Sequence, residues 1–434
     1  MRPLHFASLL AAVLLTPACG LLDTNQPDTV SPGDLNTPEG AQSRRLGAIS
    51  QFTFAKDGDG INTDGEILLT GLMADEFIFA TTPPSEQEID QRGATVLNPN
   101  IDAQYLALHR ARTSAEDAAE ALLKYSLDGD SDPGIPEMLA LAGFTYVYFA
   151  EDFCPAVPYS KSVNGKITYG TSVSRDSSLK IAIARFDTAL AAPGLTPEVD
   201  ALARIGKARA YLNMDSARVA DTIVATVASD FAYVTEHAES PARLQNQPFV
   251  FGRDGLWSVA NLEGGNGFGF RDVQDPRVPY DSTGTTGLDT QTELFSLLKY
   301  PDASTSIPVA DGIEARLIQA EAQLRLNAFA AMNGILNTLR ATIGLGNLPV
   351  PGNAAAARTQ LFNERALWLY ATGHRLGDLR RLVRQYGLAV NTVFPEGNYH
   401  KSGGVYSNQV SLIIPQSVEN NPNYNPADCD PTAP

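Results

Sequence analysis

Along most of the chain, apolar residues recur every three to four positions among Ala, Leu, Arg and Glu, the spacing of one buried helical stripe. That periodicity predicts helices over about 101–125, 136–151, 177–191, 198–213, 215–229, 309–328, 330–343 and 354–386. Runs that alternate apolar and polar residues, as half-buried strands do, are few, so the fold class expected is mainly α. Ser31-Pro32-Gly33-Asp34 and Thr37-Pro38-Glu39-Gly40 each set an oxygen-bearing residue before Pro and an acid soon after, which is the composition of a helix start.

Two helix pairs repeat a pattern. Gly143 and Tyr146 precede Ala182, Phe186 and Ala189, and Ala208 and Tyr211 precede Ala220, Val224 and Val227. Small residues let two helices approach, and the larger partner fills the groove beside them. The second helices are offset by 38 residues, close to the roughly 34 of tetratricopeptide repeats. A looser third copy runs from Ala320 through Phe329 to Leu336. The expectation is repeat-like helical hairpins over about 136–229 and 309–345, within one domain spanning 46–434. An insertion at about 152–176 carries Cys154. Between about 240 and 306, Gly, Asn, Asp and Pro dominate, with aromatic residues interleaved, which predicts a packed irregular subdomain. The segment from about 387 to 434 has the same texture.

The N-terminus reads as a targeting segment. Arg2 is the only formal charge among residues 1–18, and Phe6 to Leu15 is an apolar run of ten residues. Ten helical residues reach about 15 Å, half a bilayer's hydrocarbon core, so residues 1–18 read as a signal peptide and not a spanning helix. The run ends in Ala18-Cys19-Gly20, which looks like a bacterial lipobox with Cys19 as the lipid attachment residue. Ordinary cleavage near Ala18, leaving a free Cys19, is the alternative. Residues 19–45, polar and rich in Pro and Gly, are expected to form a tether. The chain of 434 residues carries a formal charge of −17, which argues against a broad nucleic-acid surface. Apolar residues make up 44%, enough to bury a large core.

Four fragments, in order, now converge. Cys19 is followed by Leu22-Asp23, Pro27 and Val30-Ser31-Pro32. Glu314 to Ala322 (EARLIQAEA) leads to Leu336-Asn337-Thr338-Leu339-Arg340-Ala341. Asn363-Glu364-Arg365 leads to Gly373-His374-Arg375-Leu376-Gly377-Asp378-Leu379-Arg380-Arg381. The close reads Ile413-Ile414-Pro415-Gln416-Ser417 and Asn421-Pro422-Asn423-Tyr424. In these the chain resembles the SusD/RagB-like nutrient-uptake lipoproteins of bacterial outer membranes over essentially its full length. The resemblance implies tetratricopeptide-like hairpins with a variable irregular face, and a non-enzymatic role without a cofactor. It also implies a location on the outer membrane, facing the cell exterior, and an oligosaccharide or peptide ligand. The partner implied is a SusC-type TonB-dependent β-barrel transporter, over which the protein closes as a lid. A lipid-anchored hydrolase and a purely structural tetratricopeptide scaffold are the rival readings.

Individual constellations add to this. Glu364, Arg375 and Asp378 read as a structural ion network, with Arg375 and Asp378 spaced to pair on one helical face. His374 has no second His or Cys at ligand spacing, so no metal site is expected there. With Cys19 lipidated, Cys154 and Cys429 are the cysteines left, and an exported compartment permits a disulfide between them, worth roughly 4–5 kcal/mol in a chain-entropy picture. The run from Gly264 to Gly269 neither follows a strand nor opens a helix, so it is not a dinucleotide fingerprint. Asp57 to Asp64 imitates the start of a calcium loop, but Ile61 and Leu68 stand where oxygen ligands are needed, and a solvated turn is expected instead. Trp257, Phe268, Phe270 and Tyr280 are the candidate ligand-binding residues, because sugar C–H faces stack on flat rings. No nucleophile triad or spaced carboxylate pair stands out.

Overall fold

Helix α1 (Pro38–Asp57) begins where the Thr37-Pro38 signal places it: the Thr37 hydroxyl accepts the Gly40 N–H at 3.0 Å, and Pro38 occupies a position whose N–H needs no partner. Residues 38–45, expected in the tether, are therefore the first two turns of this helix. The computed structural model describes residues 34–434 apart from Asn164 and Ser402; the signal peptide and Cys19 lie outside them.

The chain continues through α2 (Glu66–Met73), β1 (Phe77–Phe79), α3 (Pro84–Asp90), α4 (Pro99–Tyr125) and α5 (Gly134–Asp152). Four short strands follow, β2 (Val157–Pro158), β3 (Lys161–Val163), β4 (Lys166–Thr168) and β5 (Ser172–Val173), and then α6 (Arg175–Leu190), α7 (Pro197–Asn213) and α8 (Ala217–Val224). After β6 (Ala232–Thr235), α9 (Gln247–Arg253), β7 (Trp257–Val259), β8 (Tyr280–Thr286), β9 (Glu293–Leu297) and β10 (Ile307–Asp311) come α10 (Gly312–Arg325), α11 (Phe329–Thr342), α12 (Ala354–Trp368), α13 (Arg375–Arg384) and α14 (Val390–Val393). The named strands form two-stranded antiparallel ribbons: β1 with β7, β2 with β5, β3 with β4, β6 with β10 and β8 with β9. The fold is mainly α, as the periodicity predicts.

The helices stack as hairpins, α1 on α4, α5 on α6, α7 on α8 and α10 on α11, with α4 against α5, α6 against α7 and α8 against α10 joining each pair to the next. The small-residue pattern explains the close approach. Ala182, Phe186 and Ala189 are fully buried, and a Cβ on Gly143 would come within 2.7 Å of the Phe186 ring. Ala208, Ala220, Val224, Ala320 and Leu336 are likewise buried. The first hairpin, α1 with α4, escapes the sequence reading because residues 58–98 interrupt it.

Three predicted helices differ in the structure. The stretch 309–328 opens in strand β10 and is helical only over Gly312–Arg325. The stretch 215–229 is helical only to Val224, because Arg316 Nη2 takes the carbonyls of Val224 and Val227 at 3.0 and 2.9 Å and ends the helix there. The stretch 354–386 breaks between α12 and α13, where Ala371 and Gly373 adopt φ of 55° and 78°. A Cβ on Gly373 would collide with the Glu66 carboxylate at 2.1 Å, so only glycine fits this turn. Among the described residues no helix is long and apolar enough to cross a membrane.

Candidate functional site

The aromatic residues expected to form a ligand platform turn inward. Trp257 is 2% exposed, with its ring 5.9 Å from Phe77 and 5.5 Å from Phe251. Phe270 is fully buried against Tyr370 at 4.7 Å and Phe268 at 4.8 Å. Phe268 is half-buried under Arg375, and the half-buried Tyr280 donates its hydroxyl to the Arg271 carbonyl. Trp257 and Phe270 are thus core of the irregular subdomain, because a Gly- and Asn-rich segment has little else with which to exclude water.

The ion network exists with different partners. Arg375 pairs with Asp75 at 2.6 Å instead of Asp378, since at the first turn of α13 it points across to the segment before β1. Asp378 takes Arg365 through both oxygens, at 2.7 and 2.8 Å, and Arg381 at 3.0 Å. Glu364 joins Arg277 at 2.6 Å and Arg340 at 2.7 Å, tying the irregular subdomain to α11 and α12. The calcium-like loop is a turn with a solvated tip, Gly60, Ile61 and Asn62 being exposed, while its first two acids are buried. Asp57 is buried with Lys56 and 3.3 Å from His237, and Asp59 accepts the N–H groups of Ile61, Asn62 and Thr63. Asp59 is thus spent on the turn itself, and Asp64 accepts from the Asn100 amide at 2.7 Å.

Beside α10 lies a cavity of about 340 Å³, walled by Trp368, Ile343, Pro308, Arg277, Lys299, Asp311, Glu314 and His374. Burial raises the carboxyls of Asp311 and Glu314 to about 6 and lowers the Lys299 ammonium to about 8. Perturbed groups in a pocket invite a chemical reading, but Asp311 and Lys299 are committed, while Glu314 Oε2 is buried without a hydrogen-bond partner. Asp311 caps α10 by accepting the Glu314 N–H at 2.7 Å, Glu314 faces His374 at 3.3 Å, and Lys299 donates to the Tyr370 carbonyl.

The open concavity lies elsewhere, along the outward stripe of α4. Asp102, Leu106, Arg110, Thr113 and Asp117 recur three to four residues apart on one face. Three hollows of about 340, 390 and 650 Å³ share residues here: Arg110 lines all three, Leu106 the first two, and Gln51 the first and third. Together they make one groove between α1, α4, the β3–β4 hairpin and the C-terminal tail. Leu106 is 41% exposed on its floor and Tyr169 is 44% exposed on its wall. Arg110 is exposed and its guanidinium has no hydrogen-bond or ion-pair partner among the described residues, unlike that of nearby Arg112, which binds Glu116 at 3.0 Å and the Ser160 carbonyl at 2.6 Å.

The walls are held firmly. Asn421 and Asn423 donate side-chain amides to the carbonyls of Gly170 and Tyr169 at 2.9 and 3.1 Å, and the Ser417 hydroxyl donates to Asp102. The tail is pinned in turn by the disulfide between Cys154 and Cys429, whose Cα atoms are 5.3 Å apart. Leu412 N–H donates to the Asp152 carbonyl at 2.7 Å, and Cys154 N–H to the Leu412 carbonyl at 2.9 Å. An unpaired guanidinium and an exposed aromatic ring in a shallow groove can bind hydroxyl-rich ligands through hydrogen bonds and C–H stacking. The sequence reading passed over this site because Arg110 and Tyr169 look like ordinary surface residues; the polar stripe on an Ala-rich helix was its one available signal.

No family model matches the sequence, and no curated protein matches it. Solved structures do. The chain overlays a laminarin-binding SusD-like protein with a TM-score of 0.65 at 12% identity, covering 90% of this chain and 99% of that one. Surface glycan-binding protein A from Bacteroides uniformis gives 0.65 at 15% identity, covering 90% and 100%. A SusD superfamily protein from Parabacteroides distasonis gives 0.65 at 13%, covering 89% and 98%.

Proposed function

From the premise that this chain has the SusD-superfamily fold, we propose that it is a glycan-binding protein of the bacterial cell surface, held to the outer membrane by a lipid on Cys19. In this reading it captures an oligosaccharide in the α4 groove. It then passes the ligand unchanged to a SusC-type TonB-dependent barrel, over which it sits as a lid. The observation that carries the reading is the unpaired Arg110 at the meeting point of three hollows, on a fold shared end to end with a laminarin-binding protein and a surface glycan-binding protein.

The mechanism is differential contact. A ligand bridging groove and barrel interior stabilises the closed arrangement more than the open one, and so shifts that population. Repeat hairpins commonly serve as protein-docking surfaces, which makes the outer faces of α5–α8 and α10–α11 the candidate barrel contact. Purification of the lipidated chain in mild detergent from its native envelope is expected to bring down a TonB-dependent barrel in near-stoichiometric amount. Repeated recovery of the chain without any barrel would overturn the delivery role.

A further inference from the structure

A cluster remote in sequence lies where α3, the Gly-rich turn after β7 and the C-terminal irregular segment meet. Asp90, Glu263 and His400 each offer one ligand atom there, and these atoms lie within 4.8 Å of one another. Asp90 is 0% exposed and Glu263 5% exposed. Each carboxylate has one oxygen fixed by neighbours: Asp90 Oδ2 accepts from the Tyr399 hydroxyl at 2.6 Å and the Phe79 N–H at 3.0 Å, and Glu263 Oε1 accepts from the Tyr406 hydroxyl at 2.7 Å. Their other oxygens, Asp90 Oδ1 and Glu263 Oε2, are buried with no hydrogen-bond partner. Buried acceptors left without a donor are costly, and two carboxylates within hydrogen-bonding reach of each other are more so.

His400 completes the set. Its Nε2 lies 3.0 Å from the Phe79 carbonyl, which fixes the ring with the proton on Nε2 and leaves the Nδ1 lone pair facing Asp90 Oδ2 at 3.9 Å. Metal-binding histidines are oriented in this way, through a backbone carbonyl on the other ring nitrogen. His400 is also the exposed member, so it gives an ion a way in. The nearest cations hold other partners, although Arg92 Nη2 is itself buried without one. Lys401 meets Asp289 at 3.0 Å, and Arg92 donates to the carbonyls of Gln409 and Pro395 at 2.7 and 2.5 Å.

We propose that Asp90, Glu263 and His400 form a binding site for a single divalent transition ion, zinc by preference, that clasps the irregular face together. One imidazole with two carboxylates suits zinc better than calcium or magnesium, which favour all-oxygen shells. Metal–ligand bonds of about 2.0–2.2 Å require the three side chains to draw in by about an ångström, with water as the remaining ligand. The ion would answer both orphaned oxygens at once.

The test uses the full mature chain without an affinity tag, stripped with chelator, equilibrated with excess zinc and gel-filtered. One zinc per chain by elemental analysis and a raised melting temperature are expected, with both lost in His400→Ala and in Glu263→Gln. Near-UV circular dichroism checks that the variants fold. Cobalt(II) supplies a readout that needs no variant: visible d–d bands at one equivalent are expected from the native chain. Zinc no higher than in His400→Ala, or the absence of cobalt bands, would overturn the site and leave a proton shared between two carboxyls as the answer to the orphaned oxygens.

Discussion

Replacing Asp378 with alanine is expected to destabilise the protein by about 3–5 kcal/mol, read as a lower urea midpoint. The size follows from what the substitution strands. Arg365 and Arg381 are each 2% exposed, and both depend on Asp378, Arg365 through a two-pronged contact. Without it, two buried guanidiniums share Glu321 alone, at 3.8 and 2.9 Å. The pH profile separates this from simple loss of packing. Burial by itself would raise the Asp378 carboxyl, but Arg365 and Arg381 outweigh it and hold the group far below the ordinary carboxylate range. A folded-state value below the unfolded one, about 3.9, contributes stability that is complete above that pH and is lost as pH falls toward the folded value. The gap between native and Asp378→Ala should therefore be constant above about pH 5 and shrink below about pH 4. A pH-independent gap would contradict the ionic account.

The second large effect concerns the disulfide. Changing both Cys154 and Cys429 to alanine is expected to lower stability by about 2–5 kcal/mol, since the bond closes a loop spanning 275 positions in the unfolded chain. The loss should be local before it is global. Residues 412–434 gain amide exchange first, because without the covalent link the tail is held by its bridge to Phe153 and by hydrogen bonds at Val96, Asp102, Tyr169 and Gly170. Counting thiols in the denatured protein checks the bond itself: none at Cys154 or Cys429 before reduction, two afterwards. Two in both conditions would remove the bond from the account.

How much of this was legible beforehand follows from where each signal lives. Hairpin residues such as Gly143, Phe186, Ala208 and Val224 announce themselves because helix packing repeats every three to four residues within one short stretch. The α12–α13 break does not, because the apolar spacing runs straight through Leu369, Leu376 and Leu379. What forbids a continuous helix is Glu66, some 300 positions away, pressed against Gly373. The same distance hides the partners of the ion network. Arg375 and Asp378 have the spacing of a pair, yet Asp75 and Arg365 claim them. Trp257 looked like a platform because sugar C–H faces stack on flat rings. In a segment rich in Gly, Asn and Asp, the same rings supply the segment's own core, and Trp257 is buried there. Arg110 carried only the mark of a polar stripe on an Ala-rich helix, since what distinguishes its guanidinium is the lack of a partner among the described residues, a property only the assembled surface has.

The central claim is that the α4 groove holds a glycan and releases it intact. Calorimetric titration of the mature chain against a panel of oligosaccharides, with chromatography of the recovered sugar, tests it most directly. The account predicts saturable binding of at least one glycan class, recovery of that glycan at its original length, and at least tenfold weaker binding in Arg110→Ala and in Tyr169→Ala at unchanged melting temperature. Shortened product, or binding that is indifferent to both substitutions, would contradict it.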